Sequence, residues 1–380
     1  MTRIRLGMVG GGSDAFIGGV HRIAARIDGR FDLVAGALSS TPERARESGA
    51  ALGLDPDRSY DSFEAMAEAE AARADGIEAV SIVTPNHVHA PAAMAFLKRG
   101  IHVICDKPLT ATQDEAEALA AAVEEAQALF VLTHNYTGYP MIRQARAMVA
   151  SGDLGTLRVV QVEYPQDWMT DAVETQGVKQ AEWRTDPKRA GAGGAIGDIG
   201  THAFNLASFV TGLEGEALSA DLHTFGAGRR LDDNAHILLR YKCGARGMLW
   251  CSQVAPGCEN ALRLRVFGDK GGLEWAQEDP NYMWFTPHGE PKRLLTRNGA
   301  GATEAATSVS RIPGGHPEGY LEGFATLYNE AADAIRAVQD GTPRADAMGQ
   351  LPGIAAGLEG MRFIGACVAS SEKDAAWAPL

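Results

Sequence analysis

The 380-residue chain reads as an α/β protein in two parts: a doubly wound parallel sheet over residues 1–134, then an α+β region over 135–380 built on a large, open, mainly antiparallel sheet. Two observations predict this. Residues 4–134 alternate short apolar runs with amphipathic stretches at helical spacing, the pattern of buried strands covered by helices on both faces. Beyond residue 134 strands follow one another through hairpin turns with one alternating face, which indicates an antiparallel sheet half covered by helices. The length suffices for two separate cores.

Strands are predicted at 4–9, 33–38, 79–83, 103–105 and 129–133, with helices such as 42–52 and 91–99 between them. The first of these helices opens on Thr41-Pro42, a start signal because proline's missing N–H costs nothing at a first helical position. The second part begins with a helix at 140–151, ended by Gly152, and a strand at 156–164 with period-two alternation. A helix is expected after Asp198, then strands at 218–225, 235–241, 247–254, 262–267 and 272–275. Lys242-Cys243-Gly244 and Asp269-Lys270-Gly271 supply hairpin turns between them. Helices are predicted at 319–339 and 350–371, and 297–313 has the turn-rich, polar character of a mobile loop.

Bulk properties exclude several classes of function. Composition is 45% hydrophobic and 22% charged with a formal net charge of −13, so a phosphate polyanion is repelled unless a basic patch overrides the field. Arg44, Arg46, Arg143 and Arg146 are each diluted by acids or apolar neighbours, and nucleic-acid binding is not expected. The five cysteines (Cys105, Cys243, Cys251, Cys258, Cys367) contain no CxxC pair, which argues against a disulfide framework or a zinc site and suits a reducing cytosol. A core strand starting at Ile4 leaves no room for a cleaved leader, and the apolar stretch at 119–132 carries Glu124 and Glu125, too polar for a bilayer. A cytoplasmic protein without membrane partners is expected.

Gly10-Gly11-Gly12 follows the first strand, and Ile17-Gly18-Gly19-Val20-His21 opens the next helix. Glycines there let the backbone turn tightly and approach a pyrophosphate, whose charge the helix N-terminus favours. A regular GxGxxG would place its third glycine where Ala15 stands; Gly18 comes later, as though Ser13-Asp14-Ala15 were inserted. The second strand ends in Ala37-Leu38-Ser39-Ser40 without the acid that normally binds an adenosine ribose. Ser39 can bond a ribose hydroxyl or a phosphate, and Arg44 either reaches a 2′-phosphate or is a solvated helix charge. Both NAD and NADP therefore stay open, with NAD the first expectation. Thr84-Pro85-Asn86-His87-Val88-His89 follows the third strand, and Asn86 can bond the nicotinamide side. His87 and His89 alternate like metal ligands, but no third ligand is evident and no metal is expected. The expected cofactor contacts are Gly10, Gly12, Ser13, Phe16, Ile17, Ser39, Ser40, Arg44, Thr84, Pro85, Asn86, His89, Asp106, Lys107 and Asn135.

Two further segments carry chemistry. In Cys105-Asp106-Lys107-Pro108 a lysine leaves the edge of a buried strand, where its charge would stabilise an alkoxide. In Gly197-Asp198-Ile199-Gly200-Thr201-His202 an aspartate and a histidine stand four apart, neighbours on one face of a helix. Neutral imidazole is the natural base for an alcohol proton, and a carboxylate beside it can fix its tautomer. Lys107, Asp198 and His202 are the catalytic candidates.

These residues, with Trp183-Arg184, Pro187, Gly191 and Gly193-Gly194, resemble the glucose–fructose oxidoreductase/inositol dehydrogenase (Gfo/Idh/MocA) family through essentially the whole chain. The resemblance implies a Rossmann dinucleotide-binding domain, a substrate-binding and oligomerisation domain, and a nicotinamide-dependent dehydrogenase, often tetrameric through the open sheet. It implies proton transfer by Lys107 and His202, with Asp198 contacting substrate or orienting the histidine. Three departures stand out: Asp106 where glutamate is commoner, Asn205 in place of an acid, and the lengthened Gly10–Gly18 turn.

Tyr136, Tyr139, Trp168, Trp183, Arg184, His316, Glu318 and Tyr320 add aromatic faces and hydrogen-bonding groups suited to a neutral cyclic polyol or pyranose. Within the family the chain looks most like scyllo-inositol dehydrogenases that also accept L-glucose. The rival expectations are an NAD-dependent glycoside hydrolase of the same family and a non-catalytic sugar or nucleotide sensor.

Overall fold

In the computed structural model, which describes residues 2–13 and 15–380, Asp14 of the glycine-rich turn lies outside the described residues. Strands β1 (Ile4–Gly10), β2 (Phe31–Ala37), β3 (Ala79–Val83), β4 (His102–Cys105) and β5 (Phe130–Leu132) form one sheet in the order β2-β1-β3-β4-β5. Every pairing in it is parallel. Each residue of β3 and β4 is buried, as a sheet covered on both faces requires. The chain leaves β1 for β2 on one side and returns to β3 on the other, and such reversals mark where ligands bind beyond the strands' carboxyl ends. The turns after β1, β3, β4 and β5 leave from that edge.

Local chemistry sets the helix starts. Ser62 accepts from the Ala65 N–H to open Phe63–Ala72, and Thr112 and Glu115 form a reciprocal capping box on Gln113–Glu125. The helix expected at 91–99 spans His89–Leu97.

The first compact unit runs to Asn135 and also takes in Phe324–Glu359, a stretch that the sequence places in the second part. Long-range contacts explain the difference. The Tyr328 ring meets Phe31 edge-on at 5.4 Å, and its hydroxyl bonds Ser81 Oγ (2.7 Å) and His21 Nδ1 (2.8 Å). Arg30 reaches Asn329 (2.7 Å), and Arg336 reaches Glu78 (2.6 Å).

The second unit comprises Tyr136–Gly323 and Gly360–Leu380. Its strands are β6 (Leu157–Pro165), β7 (Gly215–His223), β8 (Asn234–Tyr241), β9 (Arg246–Ser252), β10 (Arg263–Gly268), β11 (Gly271–Ala276), β12 (Tyr282–Pro287), β13 (Arg293–Thr296) and β14 (Ala378–Pro379). They form a nine-stranded sheet, β13-β12-β11-β10-β6-β9-β8-β7-β14, antiparallel except where β6 pairs with β9. β12, β13 and β14 were not legible in the sequence; β13 is a short edge strand of mostly exposed residues, with no alternation to betray it. One face packs against the helices Pro140–Ala150 and Thr201–Thr211. On the other, Leu294, Trp284, Glu274, Arg265, Gln161, Met248 and Leu238 stand in register across neighbouring strands, with the apolar members exposed.

The stretch 297–313, expected to be a mobile loop, is anchored. Buried Arg297 donates to Asn281 Oδ1 (2.9 Å) and to the carbonyls of Ile312 (2.7 Å) and Pro313 (3.0 Å), and pairs with Glu318 Oε1 (2.9 Å). Polar composition resembles a loop in sequence because the guanidinium that organises it acts through backbone carbonyls. Among the described residues no helix is long and apolar enough to cross a membrane.

Burial pushes the His21 imidazole down to about 4, against the weaker pull of the Asp106 carboxylate. Below the ordinary histidine value of 6.5 the unfolded chain therefore binds a proton that the folded chain refuses, and stability is lost as pH falls from 6.5 towards about 4. His102, also held near 4 by burial, adds to the same slope. The urea midpoint should fall through this window, and His21→Gln should make the slope shallower by about one proton. An unchanged slope in the variant would contradict the assignment.

Candidate active site

At the start of the first unit, Gly10 and Gly11 adopt positive φ of 76° and 69°. A Cβ on Gly18 would sit 2.4 Å from the Gly11 Cα, so the helix Phe16–Ile27 rests directly on the turn. Gly18 therefore does the close-packing work of a regular third glycine, three residues late. The residue at its N-cap, Ala15, has no side chain that could cap it. Ser13 is exposed and its N–H donates to Ser48 Oγ (3.3 Å); Phe16 is exposed, and Gly12 and Ile17 are half-buried. At the end of β2, Ser39 Oγ accepts from the Thr41 N–H (3.1 Å), while Ser40 and Arg44 are exposed.

Beyond β3, half-buried Thr84 and Pro85 lead into buried Asn86. Beyond β4, the Asp106 carboxylate accepts from the Lys107 N–H (2.9 Å) and from Thr133 Oγ1 (3.0 Å), and a cis bond joins Lys107 to Pro108. The shorter aspartate thus still anchors the lysine's backbone. His134 is pushed down to about 3 by burial and then by the Lys107 charge, with Asp106 opposing. His89 was expected among the cofactor contacts. Instead its ring is buried and both nitrogens meet backbone carbonyls.

In the second unit Asp198 sits in a π-helical turn, Ile196–Gly200, that runs into the helix carrying His202. Such turns are rare and frequent at functional sites. Asp198 Oδ2 accepts from Arg184 Nε (3.0 Å) and Gln253 Nε2 (2.9 Å), and the Arg184 guanidinium also lies 4.3 Å from the Trp183 ring centroid. The loop leading into the turn is held by Asp232, whose carboxylate accepts the N–H groups of Gly194 (2.6 Å) and Ile196 (2.9 Å). Burial pushes that carboxyl up to about 6, the two N–H bonds opposing. Gln253 and Asp232 lie far from the motif in sequence, and no local pattern marks them.

Aromatic rings surround His202. Tyr136 meets it edge-on at 4.9 Å, Tyr164 lies 6.3 Å away, and Tyr320 lies 6.4 Å from Tyr136. A polar chain runs behind them. Trp168 Nε1 donates to Gln166 Oε1 (3.1 Å), Gln166 Nε2 to Asn260 Oδ1 (2.7 Å), and Tyr164 Oη to the same oxygen (2.8 Å). Indole N–H can only donate, so it orients both amides. Tyr164 then has its proton committed to Asn260, and Tyr136, bonded to Tyr164 Oη, must donate there. Tyr136 Oη retains only lone pairs to offer elsewhere. Tyr139 is buried and stacks on Tyr136 at 5.8 Å.

Glu318, expected to contact substrate, is committed to the loop instead. Glu318 is buried, and its Oε1 accepts the N–H groups of Arg311 (2.7 Å) and Ile312 (3.0 Å) besides pairing with Arg297. His316 is exposed, with Nδ1 near the Pro313 carbonyl (3.3 Å). Among the described residues no group of three or more His, Cys, Asp or Glu is arranged to hold a metal ion.

Comparison with known proteins places this architecture. Residues 4–134 match the oxidoreductase family with an NAD-binding Rossmann fold, and 142–274 match the GFO/IDH/MocA C-terminal domain. The oxidoreductase YfiI of Bacillus subtilis (strain 168) is 36% identical, over 98% of this chain and 96% of its own. The crystal structure of an oxidoreductase from Sinorhizobium meliloti is 60% identical, covers 99% of both chains and superposes with a TM-score of 0.90. That of an inositol dehydrogenase homologue from Azotobacter vinelandii, complexed with NADH and myo-inositol, is 37% identical over 100% of this chain and 98% of its own, with a TM-score of 0.93. The chain belongs to the Gfo/Idh/MocA oxidoreductase family.

This Gfo/Idh/MocA member is an NAD(P)-dependent oxidoreductase, and the residues of its first unit fit the dinucleotide. The helix behind the glycine turn directs its N-terminus to where a pyrophosphate is favoured. Thr84 Oγ1 and Asn135 Nδ2 are buried without a hydrogen-bond partner among the described residues. An orphaned buried polar group costs about 1–3 kcal/mol, and a carboxamide can satisfy both a hydroxyl and an amide.

Gly18→Ala should weaken NAD binding about tenfold or more, since overpacking at a close backbone contact costs about 1–3 kcal/mol. Fluorescence titration of NADH checks this; an unchanged dissociation constant would separate the glycine turn from the cofactor.

Proposed function

We propose that this family member oxidises one secondary hydroxyl of a neutral cyclic polyol or pyranose, such as scyllo-inositol or L-glucose, to the ketone. The observation that carries the reading is the charge-compensated, aromatic setting of His202. Arg184 is paired with Asp198 and stacked on Trp183, so it offers hydrogen bonds without the net charge an anionic substrate needs. Tyrosine faces suit the C–H side of a saturated ring, and polar groups suit its hydroxyls. The myo-inositol held by the Azotobacter homologue belongs to the same chemical class.

When bound, nicotinamide accepts the hydride leaving the carbinol carbon. His202 takes the hydroxyl proton as general base. The Lys107 ammonium stabilises the negative charge growing on that oxygen, an electrostatic contribution that does not require the lysine to lose its own proton. Asp198 holds Arg184 and Gln253 in place for the substrate's hydroxyls. NAD is slightly favoured, and exposed Arg44, near Ser39 and Ser40 at the end of β2, is a cation that a 2′-phosphate of NADP would meet. The row of exposed apolar side chains on the second sheet is read as the surface of a homotetramer, and the cytoplasm as its compartment.

A panel of inositols and D- and L-pyranoses, followed at the reduced-nicotinamide absorbance with NAD and NADP, tests the reading directly. His202→Ala and Lys107→Ala should each lower kcat on the best substrate by about 100-fold or more while NADH affinity stays within a few-fold. Turnover near the parent's in both variants would remove the assignment. Arg44→Ala should weaken NADP more than NAD; equal loss would exclude a 2′-phosphate contact.

A further inference from the structure

His89 Nδ1 lies 2.8 Å from the Pro108 carbonyl oxygen and Nε2 lies 2.9 Å from that of Thr84. A carbonyl oxygen can only accept. Neutral imidazole has one N–H and one lone pair, so either tautomer sets a lone pair against an oxygen at one of these contacts. Imidazolium donates at both, and charge-assisted bonds are the stronger kind. Burial, the largest influence, draws the ring's pKa below the ordinary histidine value, against the Asp106 carboxylate and the backbone bonds to Pro108, Thr84 and Leu109; it is the two carbonyl contacts that call for the second proton. The helix His89–Leu97 packs against β3, β4 and the helices Phe63–Ala72 and Gln113–Glu125. Of the titratable groups on these elements and their turns, Asp106 is the charge that acts on the ring.

The two acceptors belong to different turns. Thr84 follows β3 and begins the segment read as the nicotinamide contact; Pro108 directly follows Lys107. We propose that His89 is a positioning residue which carries a proton on both ring nitrogens and straps these turns together, holding the Lys107 backbone in register with the cofactor turn. The functional half of this statement rests on the role of Lys107 given above.

Ring-nitrogen NMR on the full-length protein, uniformly labelled with 15N-histidine, tests the protonation. His89→Gln identifies the resonances by their loss. Both nitrogens should be of the N–H type at neutral pH and stay so where exposed histidines have become neutral. A lone-pair nitrogen at His89 under those conditions overturns the proposal. Asn and Gln side chains mimic Nδ1 and Nε2 respectively, so each replacement cuts one strap. His89→Gln should lower kcat with little change in NADH affinity, and His89→Asn should weaken NADH binding. His89→Phe, which cuts both, should cost about 100-fold in kcat, the scale of a misplacement of about 1 Å. Parent-like kcat in a folded Phe variant also overturns it. The NMR result does not depend on turnover, so a wrong role for Lys107 would surface in Lys107→Ala and leave the spectrum as expected.

Discussion

Because β1 is paired in parallel with both β2 and β3, the turns that follow β1, β3 and β4 leave the sheet at one edge. Parallel pairing aligns strand directions, so every carboxyl end points the same way. Gly10–Gly12, Thr84–Asn86, Asp106–Lys107 and Asn135 are thereby gathered without contacts among them having to be strong. What remains is to lock each turn in conformation. Gly18 against Gly11, Asp106 under Lys107 and Thr133, and His89 between Thr84 and Pro108 do that locally.

The second unit solves a different problem, keeping polar groups buried beside a histidine without trapping free charge. Asp198 is answered by Arg184 and Gln253, and the phenols are pushed towards the neutral form, Tyr136 up to about 12, chiefly by burial. Direction in the hydrogen-bond chain comes from Trp168, whose indole nitrogen can donate but never accept. A single donor-only group thus decides what Tyr136 can offer, several bonds away.

Much of the fold was legible because strand and helix periods are local. The parallel strands, the helices at their flanks and the hairpins of the second sheet follow from apolar spacing and turn residues. Legibility failed where the deciding partner is distant. Tyr328 looks like one more residue of an amphipathic helix until it meets Phe31, His21 and Ser81. Arg297 and Glu318 look like loop polarity, although together they fasten that loop. The π-helical turn before His202 depends on Asp232 capturing two backbone N–H groups from across the unit.

The sequence by itself determined the family, the parallel and antiparallel halves, and the candidates Lys107, Asp198 and His202, because motifs and periodicity are properties of neighbouring residues. Tertiary structure alone decided which carboxylate answers which cation, that His89 faces two carbonyls, and that Phe324–Glu359 completes the first unit. Hydrogen-bond direction and burial depend on groups brought together from far along the chain, and no local pattern encodes them.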